Sequence, residues 1–351
     1  MFLMNPRTHL LAGGVIPALP LALDANRKFS ETHERALVRY YVSAGCSGLA
    51  AAVHSTQFEI REPRHSLLEP VLELASRTID EEMEKSFRPF VKIAGVCGLT
   101  GQALAEAELA KSFGYHAALV SVAAWKSGSE DDIIEHYRAV SGVLPVIGFY
   151  LQTAVGGRVF SQKFWRRFAE IENVIAVKIA PFNRFQTLDV VRAVAESGRT
   201  DLAIYTGNDD NIVVDLLTPF RFQVEGRMVE RRIVGGLLGH WGVWTRAAVC
   251  LFEKIRAAHD LPDIGADWLA TAAAVTDMNA AVFDPSHGFA GCIPGILEVL
   301  RRQGIVPTNL CLNPHESLSP GQSEELDRVA AAYPHLVDDE FVREHLAGWL
   351  S

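Results

Sequence analysis

Basic stripes, paired cysteines and long apolar runs are all missing from this chain of 351 residues. Its net charge is −9 and no lysine-arginine run stands out, which argues against nucleic acid or an anionic membrane surface as a partner. The small group Arg227, Arg231 and Arg232 reads as a solvated connection. Five cysteines (Cys46, Cys97, Cys250, Cys292 and Cys311) form no C-x-x-C pair and are odd in number. That pattern disfavours a disulfide framework or a zinc site and fits reduced thiols in a cytoplasmic protein. No stretch approaches about 20 uninterrupted apolar residues, so no membrane span is expected. The apolar start, Met1 to Leu23, has Arg7 as its one lysine or arginine and is broken by Gly13, Gly14, Pro17 and Pro20. It reads as a first strand with its loop rather than as a signal sequence. There is no Walker-type loop, no repeat of solenoid length and no low-complexity tract.

What is present is alternation. Strand-like segments at Leu11–Ile16, Gly48–Val53, Phe90–Ala94, Ala117–Val122, Pro145–Tyr150, Val174–Ile179, Leu202–Tyr205 and Arg232–Gly236 are separated by segments with helical caps. Ser129 with Asp132 three residues on predicts a capping box, and Ser161 starts a helix carrying Phe164, Phe168 and Ile171. Eight such units predict a (β/α)₈ TIM barrel over residues 1–240. An open doubly wound sheet is the competing architecture, but Gly13-Gly14-Val15-Ile16-Pro17 runs into proline where a phosphate loop would run into a helix. From about Trp241 the strands stop. Trp268–Phe283, Phe289–Gln303 and Glu324–Ala332 read as helices, with Pro307–Pro320 as a connection. Residues 241–351 are therefore expected to form a helical extension packed on the barrel.

Two lysines lie inside apolar strands. Lys178 sits in Val174-Ile175-Ala176-Val177-Lys178-Ile179-Ala180-Pro181, and Lys92 in Phe90-Val91-Lys92-Ile93-Ala94-Gly95. Burial lowers an ammonium pKa, and the neutral amine is a nucleophile suited to imine formation with a carbonyl. A lysine that snorkels or pairs with a carboxylate is the alternative for both, and pattern alone does not separate them. In a barrel of this type the reactive groups end strands. His54, Ser55 and Thr56 follow the second strand, and Trp125 and Lys126 the fourth. Tyr150 ends the fifth, Lys178 lies near the end of the sixth, and Gly207, Asn208, Asp209 and Asp210 follow the seventh. Tyr150 and Lys178 come from adjacent strands, so a phenol beside the amine is expected, positioned to move protons.

The ordered set resembles the dihydrodipicolinate synthase / N-acetylneuraminate lyase family of Schiff-base barrels. Val174–Ala180 resembles the family's lysine strand. Leu144-Pro145-Val146-Ile147-Gly148-Phe149-Tyr150 resembles its tyrosine strand, 28 residues upstream of the lysine. Thr206-Gly207-Asn208-Asp209-Asp210 resembles its Gly-Asp-Asp segment, and Ser55-Thr56 falls where the family has a Thr-Thr pair. The resemblance spans roughly residues 10 to 240 and favours Lys178 over Lys92. It implies that Lys178 forms an imine with a pyruvate-type 2-oxo acid or sugar acid and that Tyr150 moves the proton. It further implies that Ser55 and Thr56 hold the carboxylate through hydroxyls and backbone N–H groups, and that Gly207, Asn208 and Asp209 shape the far wall. No metal or organic cofactor is implied, and a homo-oligomer, tetramer or dimer, is.

Three departures bear on substrate. Trp125 stands where the synthase has a second relay tyrosine, and indole cannot relay a proton in that way. The family's Asn-x-Pro-x-Arg pattern is replaced by Leu151-Gln152-Thr153-Ala154-Val155-Gly156-Gly157-Arg158. His54 replaces a glycine and can act as an acid/base group, plug the mouth or simply pack. Retro-aldol cleavage, aldol addition and dehydration all remain open, since each begins with the same imine. Two other classes are a barrel that binds a small carboxylate without turning it over, and a metal-dependent barrel using His54, Glu59, Glu62, His65, Asp209 or Asp210.

Overall fold

In the computed structural model, which describes residues 4–351, alternating strands and helices build a (β/α)₈ barrel with a C-terminal helical extension. The strands are β1 Val15–Pro17, β2 Gly48–Ala51, β3 Val91–Val96, β4 Ala117–Val120, β5 Val146–Leu151, β6 Val174–Ala180, β7 Ala203–Thr206, β8 Phe220–Val224, β9 Arg227–Arg231 and β10 Gly235–Leu238. Eight of them form one sheet in the order β1-β10-β7-β6-β5-β4-β3-β2. A parallel bridge between Ala18 and Ala50 brings the segment after β1 back to β2, with Leu19 N–H donating to Ala50 O at 2.9 Å. Their near-continuous burial explains why the barrel strands read as apolar runs rather than as alternating ones. All seven residues of β6 are buried.

By packing, the chain divides into two compact units. Among the described residues, the first comprises 4–14 and 91–237. Here the helix Gln162–Ala169 starts at Ser161, whose hydroxyl accepts from Phe164 N–H at 3.0 Å. The capping box predicted for Ser129 and Asp132 is formed, at 2.9 and 3.1 Å. Gly148 faces the helix Gln162–Ala169 so closely that a Cβ there would lie 2.4 Å from the Phe168 ring. Two features differ from the sequence reading. Asn5 caps a short helix, Pro6–Leu11, where Leu11–Ile16 was expected to open as strand, and β1 begins only at Val15. In addition, β8 and β9 form an antiparallel hairpin turning at Glu225-Gly226, so Arg227 and Arg231 lie in a strand rather than a bare connection.

The second unit comprises residues 15–90 and 238–351. Its helices Thr245–Ala258, Asp267–Phe283, Cys292–Arg302, Gln322–Ala332 and Asp339–Trp349 form the extension. Tyr40 anchors it, donating its hydroxyl to Asp338 Oδ2 at 2.7 Å while accepting from Thr245 N–H at 2.7 Å. The connection before Gln322 runs over the loops that follow β1 and β2. Thr308 Oγ1 donates to Leu23 O at 2.7 Å, and Leu312 N–H donates to Gln57 Oε1 at 2.6 Å. Among the described residues no helix is long and apolar enough to cross a membrane, and all five cysteines are free.

Candidate active site

Lys178 is the fifth of seven residues in β6, in the half nearer the strand's C-terminal end. It is 9% exposed. Burial pulls its amine down from 10.5 to about 8, against the opposing charge of Asp209. The Nζ atom stands 4.4 Å from the centroid of the Phe149 ring, a contact that favours whatever positive charge the amine retains. Gly207 makes room for the side chain: a Cβ at that position would lie 2.7 Å from Lys178 Cε and 2.8 Å from Ala180 Cβ. Gly207 N–H donates to Ile179 O at 2.7 Å, which fixes the loop against β6. Asn208 is fully buried and ties this loop to the next. Its Oδ1 accepts from Phe182 N–H at 3.0 Å, and its Nδ2 donates to Asp215 Oδ2 at 3.0 Å.

Register corrects the place expected for Tyr150. Lys178 pairs with Phe149, and Ile179 pairs with Tyr150. Neighbouring residues on paired parallel strands share a face, and successive residues alternate. Phe149 therefore lies beside the amine, while Tyr150 projects to the face that Gly148 presents to the helix Gln162–Ala169. Its ring lies 4.9 Å from Trp165 and 5.9 Å from Phe160, and its oxygen accepts from Phe160 N–H at 3.5 Å. Burial raises this phenol's pKa.

The remaining residues of this unit are committed elsewhere. Trp125 packs at a tilt, ring centroids 5.2 Å apart, against His136, an imidazole that burial holds down at about 4. Arg158 donates to Trp125 O at 2.9 Å and to Gly128 O at 2.6 Å and covers the Phe160 ring, so it staples the loops after β4 and β5. Lys92 is the second residue of β3, and its Nζ lies toward Gly114, in the turn leading into β4. That is the N-terminal end of its strand.

In the second unit, His54, Ser55 and Thr56 form a short turn after β2. Thr56 Oγ1 donates to Leu19 O at 2.6 Å and accepts from Val53 N–H at 3.1 Å, while its own N–H goes to Val53 O at 3.0 Å. Ser55 Oγ donates to Leu19 O at 3.3 Å. Thr56 thus folds the turn, which leaves its N–H and hydroxyl engaged rather than presented to a carboxylate. His54 is half-buried against Phe58. Sequence reasoning missed Gln57, held at φ 67 with its amide oxygen on Leu312. It also missed Phe149, whose importance depends on register, and Asp215, whose one signal is a carboxylate inside the apolar run Ile212–Leu217. Among the described residues no group of three or more His, Cys, Asp and Glu side chains is placed to hold a metal ion.

Comparison with known proteins agrees with this architecture. The model of the Dihydrodipicolinate synthetase family matches residues 11–218. A 4-hydroxy-tetrahydrodipicolinate synthase of Desulforudis audaxviator is 29% identical over 253 residues, 70% of this chain and 79% of that protein. One from Bifidobacterium longum is 28% identical over 205 residues, 56% of this chain, and the match spans only about 60% of that relative's length. In structure, N-acetylneuraminate lyase from Fusobacterium nucleatum superimposes with a TM-score of 0.70 at 16% identity, covering 92% of this chain and 99% of the other. The family model covers more than half of the chain and contains the lysine strand and the glycine-bearing loop, so the chain belongs to the dihydrodipicolinate synthetase family.

Proposed function

We propose that the protein is a Schiff-base lyase in which Lys178 attacks the keto carbon of a pyruvate-type 2-oxo acid or sugar acid. The observation that carries this reading is a buried amine near the C-terminal end of β6 with its pKa drawn to about 8. At pH 7.4 roughly a fifth of such amines are neutral, against roughly one in a thousand for an ordinary lysine. Attack by the neutral amine gives a carbinolamine, and loss of water gives the iminium, which accepts the electron pair of a breaking carbon–carbon bond or, for dehydration, of the α C–H bond, the resulting enamine then expelling the β-hydroxyl as water. Asp209, whose charge the amine feels, stabilises the protonated forms. Tyr150 is assigned to packing rather than proton transfer. With Arg158 committed to two carbonyls, the reading favours a second substrate portion bearing hydroxyls over one bearing a second carboxylate. Free thiols support a reducing, cytoplasmic setting, and the family relationship supports a homo-oligomer.

Turnover tests this reading. The purified protein should release pyruvate from one or more 2-keto-3-deoxy sugar acids, or condense pyruvate with a hydroxyaldehyde, and Lys178→Ala should abolish either reaction. Turnover that persists in Lys178→Ala would refute it.

A further inference from the structure

We infer that Asp215, which makes no contact with the amine, is the positioning residue of the lysine site, and that it acts by clamping the loop Thr206–Asn211 against the Lys178 side chain. The inference rests on Lys178 being the imine-forming residue. Asp215 is fully buried and lies in the short helix Ile212–Leu217. Its Oδ2 accepts from Thr206 Oγ1 at 2.6 Å and from Asn208 Nδ2 at 3.0 Å. Its Oδ1 accepts from Asn211 Nδ2 at 3.1 Å and pairs with the Arg184 guanidinium. All four partners are donors, so an ionised carboxylate satisfies each of them.

The clamped loop matters because of what it carries. Thr206 and Asn208 flank Gly207, the residue whose bare Cα leaves the space that the Lys178 stem fills. Asp209, next along, is the carboxylate felt by the amine. The network also reaches across to the segment after β6. Asn208 holds the N–H of Phe182, a residue at φ 51, and Arg184 opens the following helix, Arg184–Glu196. A non-glycine residue in that left-handed region persists only where its surroundings hold it. One buried carboxylate thus couples the ends of β6 and β7, the strand bearing the nucleophile and the loop that walls it. Tyr205, the register partner of Lys178 on β7, commits its hydroxyl to Leu10 O at 2.9 Å.

Asp215→Asn turns one acceptor oxygen into an NH₂ group that faces donors, which breaks at least one of these bonds. The loosened loop admits water to the amine. The test is the rate of borohydride trapping with pyruvate, followed from pH 6.5 to 10 with the adduct located by peptide mass. For Asp215→Asn the midpoint should rise by at least half a pH unit and the rate at pH 7.5 should fall about tenfold. Thr206→Val, which removes one donor to the carboxylate and the acceptor of Asn208 N–H but leaves the carboxylate's other partners in place, should shift the midpoint the same way by less. If Asp215→Asn does not fold, Thr206→Val and Asn208→Ala carry the test in the same assay. Folded variants that keep the wild-type midpoint and rate overturn the inference. An unlabelled wild-type Lys178 instead overturns the function on which it rests.

Discussion

Lys92 and Lys178 sit in the same four residues, Val91-Lys92-Ile93-Ala94 and Val177-Lys178-Ile179-Ala180. Both side chains are buried, at 5% and 9% exposure, yet the barrel gives them opposite addresses. Lys92 enters its strand at the N-terminal end and lies toward the turn at Gly114. Lys178 lies near the end where barrel enzymes place their chemistry, beside an aromatic ring, a glycine and a carboxylate. Composition gives a buried amine in each case. In the proposed mechanism, position along the strand, and the loops that strand ends bring in, separate the lysine that reacts from the one that only packs.

The sharpest way to break this comparison is to remove each lysine in turn. Lys178→Ala should eliminate turnover, with at least a thousandfold loss on the scale typical of nucleophile deletion, whereas Lys92→Met should stay within about threefold once its folding is verified by circular dichroism. Equal losses would mean that strand address does not matter. Next in size is Gly207→Ala. The new Cβ meets Lys178 Cε at 2.7 Å and the immovable Ala180 Cβ at 2.8 Å, so the amine must shift. A displacement near 1 Å costs roughly 100-fold in kcat, measurable against the wild type at saturating substrate.

Stability gives a third handle. Between pH 8 and 10.5 the folded chain has lost the Lys178 proton that the unfolded chain still holds, so this group's contribution to stability rises with pH across that window. Below about pH 8 the penalty for burying the ammonium is fully present. Lys178→Met should therefore stabilise the protein near pH 7 by up to roughly 3 kcal/mol, read from urea unfolding, with the gain fading toward pH 10.5. The smallest effect is expected at Tyr150. Removing a hydroxyl whose hydrogen bond from Phe160 N–H is 3.5 Å long should change turnover less than about threefold and stability by ~1 kcal/mol or less. A hundredfold loss in Tyr150→Phe would return the phenol to the chemistry.

The barrel was legible because buried parallel strands write themselves as short β-branched runs between capped helices, and Lys178 was legible as the charge that interrupts one of them. Register was not. A one-residue offset between β5 and β6 exchanges Phe149 for Tyr150 beside the amine, and no periodicity in Val146–Leu151 distinguishes the two. The hairpin of β8 and β9 escaped because its turn is Glu225-Gly226 rather than an Asn-Gly or Asp-Gly signal. Arg158 ends the loop that replaces the family's Asn-x-Pro-x-Arg pattern, and a sequence does not show that two carbonyls already hold its guanidinium. Asp215 shows in the sequence only as a carboxylate inside an apolar run, because its four donors are assembled only by the fold.

The most direct measurement is a peptide map after reduction with borohydride in the presence of pyruvate at pH 8. A single adduct on the peptide containing Lys178, with the Lys92 peptide unmodified, is the expected result. An adduct on Lys92, or none on either peptide, would contradict the assignment of the nucleophile to β6.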